Sequence, residues 1–149
     1  MADERNSLFG RIPEIPVALF AFLLNFVWEF WQAPFFRDMT EAMHGAGILA
    51  CSRAALGDTA IALVAYWGVA FWNSRFWLRR PTVLQISGYI GIGVAITVLL
   101  EWSATRWLGR WQYSEQMPLV PVLELGLVPL LQWVIVPPAV LALAARMMK

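Results

Sequence analysis

The chain has 149 residues, 60% of them hydrophobic and 14% charged, with a formal net charge of +1. Soluble domains average about 25% charged residues, so this composition, with a mean hydropathy of +0.61, excludes an ordinary water-soluble globule and, equally, intrinsic disorder. Near-neutral charge offers no field for nucleic acid, and a lone cysteine, Cys51, excludes a disulfide scaffold or a thiolate metal cluster.

Met1 to Arg11 is acidic and polar and lacks the basic start, short apolar core and small-residue cleavage site of a signal peptide, so it reads as mature sequence. Four apolar stretches follow, each near the roughly 20 residues that a helix needs to cross a hydrocarbon core. They cover about residues 15–36, 56–77, 83–102 and 121–145, separated by mixed segments at 37–55 and 103–118 and by a short turn around Arg79-Arg80-Pro81. Runs such as Val17-Ala-Leu-Phe-Ala-Phe-Leu-Leu24 do not alternate as barrel strands would. The expectation is a single all-α domain, a polytopic membrane four-helix bundle.

Span three carries Ser87, Gly91 and Ala95 four residues apart, a pattern expected to form a close-packing face. Gly88, Gly91 and Gly93 in the same span have no preceding strand and do not form a nucleotide loop. In span four Pro129, Pro137 and Pro138 remove amide hydrogens, and with Pro121, Gly126 and Gln132 they predict a kinked helix lining a cavity. An even number of spans puts both termini on one side. That side holds seven basic residues (Arg5, Arg11, Arg75, Arg79, Arg80, Arg146, Lys149) against four on the other (Arg37, Arg53, Arg106, Arg110). The positive-inside rule then favours both termini in the cytoplasm.

Six of the ten acids fall in the tail or the connections: Asp3, Glu4, Glu14, Asp38, Glu41 and Glu115. The other four, Glu29, Asp58, Glu101 and Glu124, fall one per span, and the alternating chain direction carries all four toward one membrane face. A carboxylate at a span centre costs about 2.5–3.5 kcal/mol on insertion scales, so such groups face a bundle interior and mark function by default. Asp58 and Glu101 lie near enough to the predicted span ends to reach water. Glu29 does not: it shares a helix stripe with Asn25 and Gln32 at spacings of four and three. Trp72 and Trp77 fit an interfacial belt. Trp28, Trp31, Trp102, Trp107, Trp111 and Tyr113 lie toward the acidic face, as a second belt or as the wall of a pocket in which ring faces shelter a cation.

The chemistry narrows by elimination. Bundle di-iron sites need two Glu-x-x-His pairs, whereas Glu41-Ala-Met-His44 occurs once, so no metal or other cofactor is expected. Cys51 has no diagnostic partner spacing, and the only lysine is Lys149, which removes an intramembrane Schiff base. Acid–base chemistry remains. A carboxylic acid in an apolar pocket resists ionisation and can protonate a carbon–carbon double bond, with a second carboxylate taking a proton later.

Leu100-Glu101-Trp102, Gly109-Arg-Trp111-Gln-Tyr113, Pro121-Val-Leu-Glu124 and Gln132-Trp133-Val-Ile-Val-Pro137 together resemble the small membrane carotenoid cyclases of the c/d lycopene type. The likeness covers about residues 100–138, and it matches Glu101 to that family's first acid and Glu124 to its acidic segment. Glu124 is followed by Leu125 where the family has a second Glu, and Gln132-Trp133 replaces a Phe-Phe pair. The whole chain, with Asn25-Phe-Val-Trp-Glu29-Phe-Trp-Gln32, looks like small bacterial four-span membrane proteins, and its layout is similar in kind to sterol isomerase-type domains.

The resulting expectation is an enzyme of proton-initiated cyclisation, isomerisation or hydration, acting on an apolar isoprenoid-like lipid drawn from the bilayer. Glu29 or Glu101 would be the acid and Asp58 or Glu124 its partner. Asn25, Gln32 and Gln132 would supply hydrogen bonds, and Trp28, Trp31, Trp111 and Tyr113 the walls. The alternatives are proton or cation transport by the same carboxyls, which calls for a homo-oligomer, and a non-catalytic subunit pairing its acids with a partner's arginines.

Overall fold

The structure is a computed structural model that describes residues 8–40 and 42–148. Asp3, Glu4, Arg5, Glu41 and Lys149 therefore lie outside the described residues. Six α-helices appear among the described residues: α1 (Leu8–Arg11), α2 (Glu14–Gln32), α3 (Arg37–Thr40), α4 (His44–Trp72), α5 (Val83–Arg106) and α6 (Leu127–Met147). Four of them, α2, α4, α5 and α6, are long and apolar enough to cross a membrane. They close into a ring in which α2 packs on α4 and α6, and α5 packs on α4 and α6. The protein is an all-α four-helix membrane bundle.

Which side of α2 faces inward identifies the solvent. Its buried positions include Val17, Ala21, Asn25 and Gln32, while Leu19, Leu23, Val27 and Phe30 point out of the bundle. A soluble amphipathic helix hides its leucines and shows its amides. Here the order is reversed because lipid is as apolar as leucine and gives no reason to bury it.

The end of the bundle that holds the α4–α5 turn is pinned by local pairs. Arg75 donates from Nε and Nη2 to the two Glu14 carboxylate oxygens at 2.8 and 2.9 Å, and Arg79 donates to the Gly10 carbonyl at 2.7 Å. The α5 start is fixed by a capping box, in which the Thr82 hydroxyl accepts from the Gln85 amide and the Gln85 side chain accepts from the Thr82 amide. Above this end lies a buried column of rings, Tyr66–Trp77–Tyr89–Trp133, with centroids 5.2, 6.2 and 6.5 Å apart. Trp77 was expected in the interfacial belt but is 4% exposed and belongs to this column, because the chain turns back beneath the bundle at 77–79. Trp72, at the end of α4, is 83% exposed.

Two boundaries differ from expectation. Helix α4 starts at His44, twelve residues before the predicted span, so Asp58 lies in its middle rather than at its opening. From His44 to Gly57 the only Asp, Glu, Lys or Arg is Arg53, but the Ala- and Gly-rich composition hides the apolar period. Span four begins at Leu127, not 121. Leu119–Val120 and Leu125–Gly126 instead form a small antiparallel hairpin. Its tip puts Val122 at φ 73° and Glu124 at φ 51°, left-handed backbone that no helix contains. Within α6, Pro137 and Pro138 leave the helix unbroken, though neither supplies an amide to the carbonyl four residues earlier.

The packing face of α5 is also not the expected one. Ser87, Gly91 and Ala95 are exposed on the outside. The buried stripe is Tyr89, Gly93, Thr97 and Glu101, at the same four-residue spacing two positions later, followed by Ala104.

Candidate active site

At the end of the bundle opposite the aromatic column, the helices part around a cavity of about 550 Å³. Small-molecule sites typically measure about 300–1,000 Å³. Glu29 from α2, Asp58 from α4 and Glu101 from α5 all line it, together with Gln32, Trp111 and Gln132. Most of the remaining wall is apolar, from Ala33, Phe36, Met39, Ile61, Leu100 and Pro129.

Two hydrogen-bonded groups hold these acids. In the first, Gln132 of α6 donates from Nε2 to Asp58 Oδ2 at 2.7 Å and to Asn25 Oδ1 at 2.8 Å, with Glu29 Oε1 at 3.5 Å. Gln32 donates to Glu29 Oε1 at 2.7 Å while its own carbonyl oxygen accepts from Trp28 Nε1 at 3.1 Å. The Glu29 and Asp58 carboxyls meet within hydrogen-bonding reach. Three helices are thereby tied by one amide, which only a glutamine or asparagine can do, since the site needs a neutral donor among acceptors.

In the second group Glu101 Oε2 accepts from the Tyr113 hydroxyl and from Trp111 Nε1, the latter at 3.4 Å. Both donors come from the α5–α6 connection, which is held over the bundle by pairing with the α2–α3 segment. Arg37 donates its amide to the Gln112 carbonyl and Ser114 its amide to the Phe35 carbonyl, each at 2.9 Å. The Phe36 and Tyr113 rings lie 5.7 Å apart across the same seam. Burial and then the Glu101 carboxyl push the Tyr113 hydroxyl above the usual phenol range, so it stays a donor at neutral pH.

The expected site residues thus divide. Glu29, Gln32, Asp58, Glu101, Trp111 and Gln132 share the cavity; Asn25, Trp28 and Tyr113 stand one hydrogen bond behind it. Trp31, 58% exposed, points outward and is not part of the wall. Glu124 is not with the other acids. The hairpin turns it outward, where its carboxylate pairs with Arg106 Nη2 at 2.7 Å, the two side chains 73% and 44% exposed. Pairs this exposed contribute about 0–1 kcal/mol. Glu124→Gln is expected to shift stability by less than about 0.5 kcal/mol in thermal unfolding and to leave any turnover in the cavity intact. A large loss of either would place Glu124 back in the site.

Other lining groups lie outside the expected site residues. Thr97, 8% exposed and one turn before Glu101, lines the cavity with a buried Oγ1 that has no hydrogen-bond partner. Its position on the 89–93–97–101 stripe was the available signal. Asp38, Arg53 and Arg110 line the opening. Among the described residues no three His, Cys, Asp or Glu side chains are placed to hold a metal ion.

What the arrangement offers is three carboxyl groups at the edge of an apolar chamber, each with fixed donors. Comparison of the chain with protein-family models, curated proteins and solved structures returns no match.

Proposed function

We propose that this integral membrane protein is an enzyme of proton-initiated cyclisation, isomerisation or hydration of an isoprenoid-like lipid. The observation that carries the reading is the convergence of Glu29, Asp58 and Glu101, from three different helices, on one cavity with otherwise mostly apolar walls. In this chemistry a carboxylic acid gives its proton to one carbon of a double bond, whose π pair becomes the new C–H bond. The cation left on the other carbon is attacked by a second double bond, by water, or not at all. A carboxylate then takes a proton from carbon or from the added water, so no electrons are gained or lost. Glu101 is the acid best placed to act alone, with Tyr113 and Trp111 holding one oxygen. Glu29 and Asp58 form the opposing pair that receives the proton. The Trp111 ring in the wall supplies a π face to the cation.

The charge asymmetry favours both termini on the cytoplasmic side, and the likeness to small bacterial four-span proteins favours a bacterial inner membrane; the cavity then opens at the opposite face. A second reading, proton or cation transport, draws on the line from Asp58 through Gln132 to Asn25, which continues into a small gap beside Tyr89. It calls for an oligomer and for flux in liposomes.

Purified protein in lipid vesicles with lycopene or geranylgeranyl phosphate in D2O tests the enzyme. Deuterium is expected on product carbon, and Glu29→Gln and Glu101→Gln are each expected to slow its incorporation by about a hundredfold or more. Unchanged labelling in both variants would falsify the reading, and proton flux without labelled product favours transport.

A further inference from the structure

The lining residues separate by exposure into a floor and a rim. Gln32, Cys51, Thr97, Glu101, Pro129 and Gln132 are buried, whereas Asp38, Arg53, Ala54, Gly57, Leu100 and Arg110 are exposed. The rim has two chemically different parts.

One part is cationic. Arg53 lies five residues before Asp58 on α4, about 7–8 Å along the helix axis toward the membrane face. Arg110 hangs from the connection just past α5. Ion pairs among the described residues join Arg75 to Glu14 and Arg106 to Glu124, and neither Arg53 nor Arg110 takes part in one. Asp38 shares the rim, so the opening carries two positive groups against one negative. Two guanidinium groups beside an apolar chamber suit a phosphate, which they can grip with paired, charge-assisted hydrogen bonds.

The other part is a lateral gap between α4 and α5. Toward the pinned end these helices fit closely: a Cβ on Gly68 would come 2.8 Å from Ile92, and one on Gly88 3.7 Å from Val69. Near the cavity the fit is lost, and a Cβ on Gly57 would meet nothing within 4 Å. Ala54 and Gly57 on α4 and Leu100 on α5 are exposed and line the cavity at once, so the chamber opens sideways between two helices long and apolar enough to cross a membrane.

We propose that the cavity takes a phosphate-headed isoprenoid amphiphile, its head held by Arg53 and Arg110 and its chain admitted from the bilayer past Ala54, Gly57 and Leu100. This deepens the enzyme reading and rests on it for the tail's chemistry. It also separates the substrate from an all-hydrocarbon carotene, which has nothing to offer two arginines.

Equilibrium binding of labelled geranylgeranyl phosphate to the purified full chain in detergent tests it, with geranylgeraniol, inorganic phosphate and phosphatidylglycerol vesicles as competitors. The phosphate ester is expected to bind at least about tenfold tighter than the alcohol. Arg53→Gln with Arg110→Gln is expected to erase that difference. Gly57→Trp, a side chain placed in open space, is expected to weaken ester and alcohol alike. Inorganic phosphate and phosphatidylglycerol are expected to compete poorly. Equal affinity for ester and alcohol overturns the proposal, as does binding that the arginine pair does not affect. Inorganic phosphate competing as well as the ester reduces the site to a phosphate site and overturns it too. Effective competition by phosphatidylglycerol reduces it to ordinary headgroup contact. Glu101→Gln separates the two claims. If it retains ester binding but loses turnover, both stand; if turnover survives in the Glu29 and Glu101 variants while arginine-dependent binding holds, only the catalytic reading falls.

Discussion

Gly93→Ala is expected to destabilise the bundle by about 3 kcal/mol, the upper end of what overpacking usually costs, although it adds a single methyl group. A Cβ at this position would overlap Trp133 Cε3 and Cζ3. The indole has little room to retreat: it is 3% exposed and lies tilted against Tyr89, with ring centroids 6.5 Å apart. The helices must separate instead, and in a membrane their contact depends on that close fit, because burial of apolar surface contributes nothing between helices in lipid. Gln132, the neighbour of Trp133 in α6, would move with it, so the Asp58 and Asn25 hydrogen bonds would weaken as well. Thermal unfolding in detergent measures the loss. Gly91→Ala is the control: it lies two residues away, exposed, with nothing within 4 Å, and should be neutral or slightly stabilising. Similar behaviour of the two variants would mean that Trp133 does not occupy this position.

The pair Gly91 and Gly93 also shows how far the sequence can be read. Helix α5 carries small or polar residues at 87, 91 and 95 and again at 89, 93, 97 and 101, on faces roughly 200° apart. Spacing alone does not choose between them; the choice is made by Trp133, which needs a glycine opposite it. The four spans themselves were legible because twenty apolar residues in lipid have few alternatives to a helix. Their ends were not, since Ala-Gly stretches such as 45–57 carry no periodic signal. For the site, Glu29 with Asn25 and Gln32 could be found from one helix, because a polar stripe needs no knowledge of its partner. Glu124 was misplaced because its environment is set by positive φ angles at the hairpin tip, which Val122 and Glu124 do not advertise as glycine or asparagine would.

Glu101→Gln is expected to lower turnover by about 10²–10⁴-fold, the usual span for loss of a general acid, while stability changes by less than about 1 kcal/mol. The disparity follows from how the carboxyl is held. Both donors, the Tyr113 hydroxyl and Trp111 Nε1, reach the same oxygen, Oε2. A glutamine can set its carbonyl oxygen there and accept both bonds, with its NH2 replacing the other oxygen. The packing around this buried position is then conserved in shape, and what is lost is a proton that can leave. Tyr113→Phe provides the intermediate case. It removes one of the two donors but leaves the acid, so turnover should fall by about 10- to 150-fold, one hydrogen bond to a charged group being worth roughly 1.5–3 kcal/mol. Deuterium incorporation and thermal unfolding, measured on the same preparations, separate chemistry from folding. If Glu101→Gln lost activity only in proportion to its folded fraction, Glu101 would be a structural anchor for the α5–α6 connection. If Tyr113→Phe were the more damaging variant, the phenol rather than the carboxyl would be the proton donor.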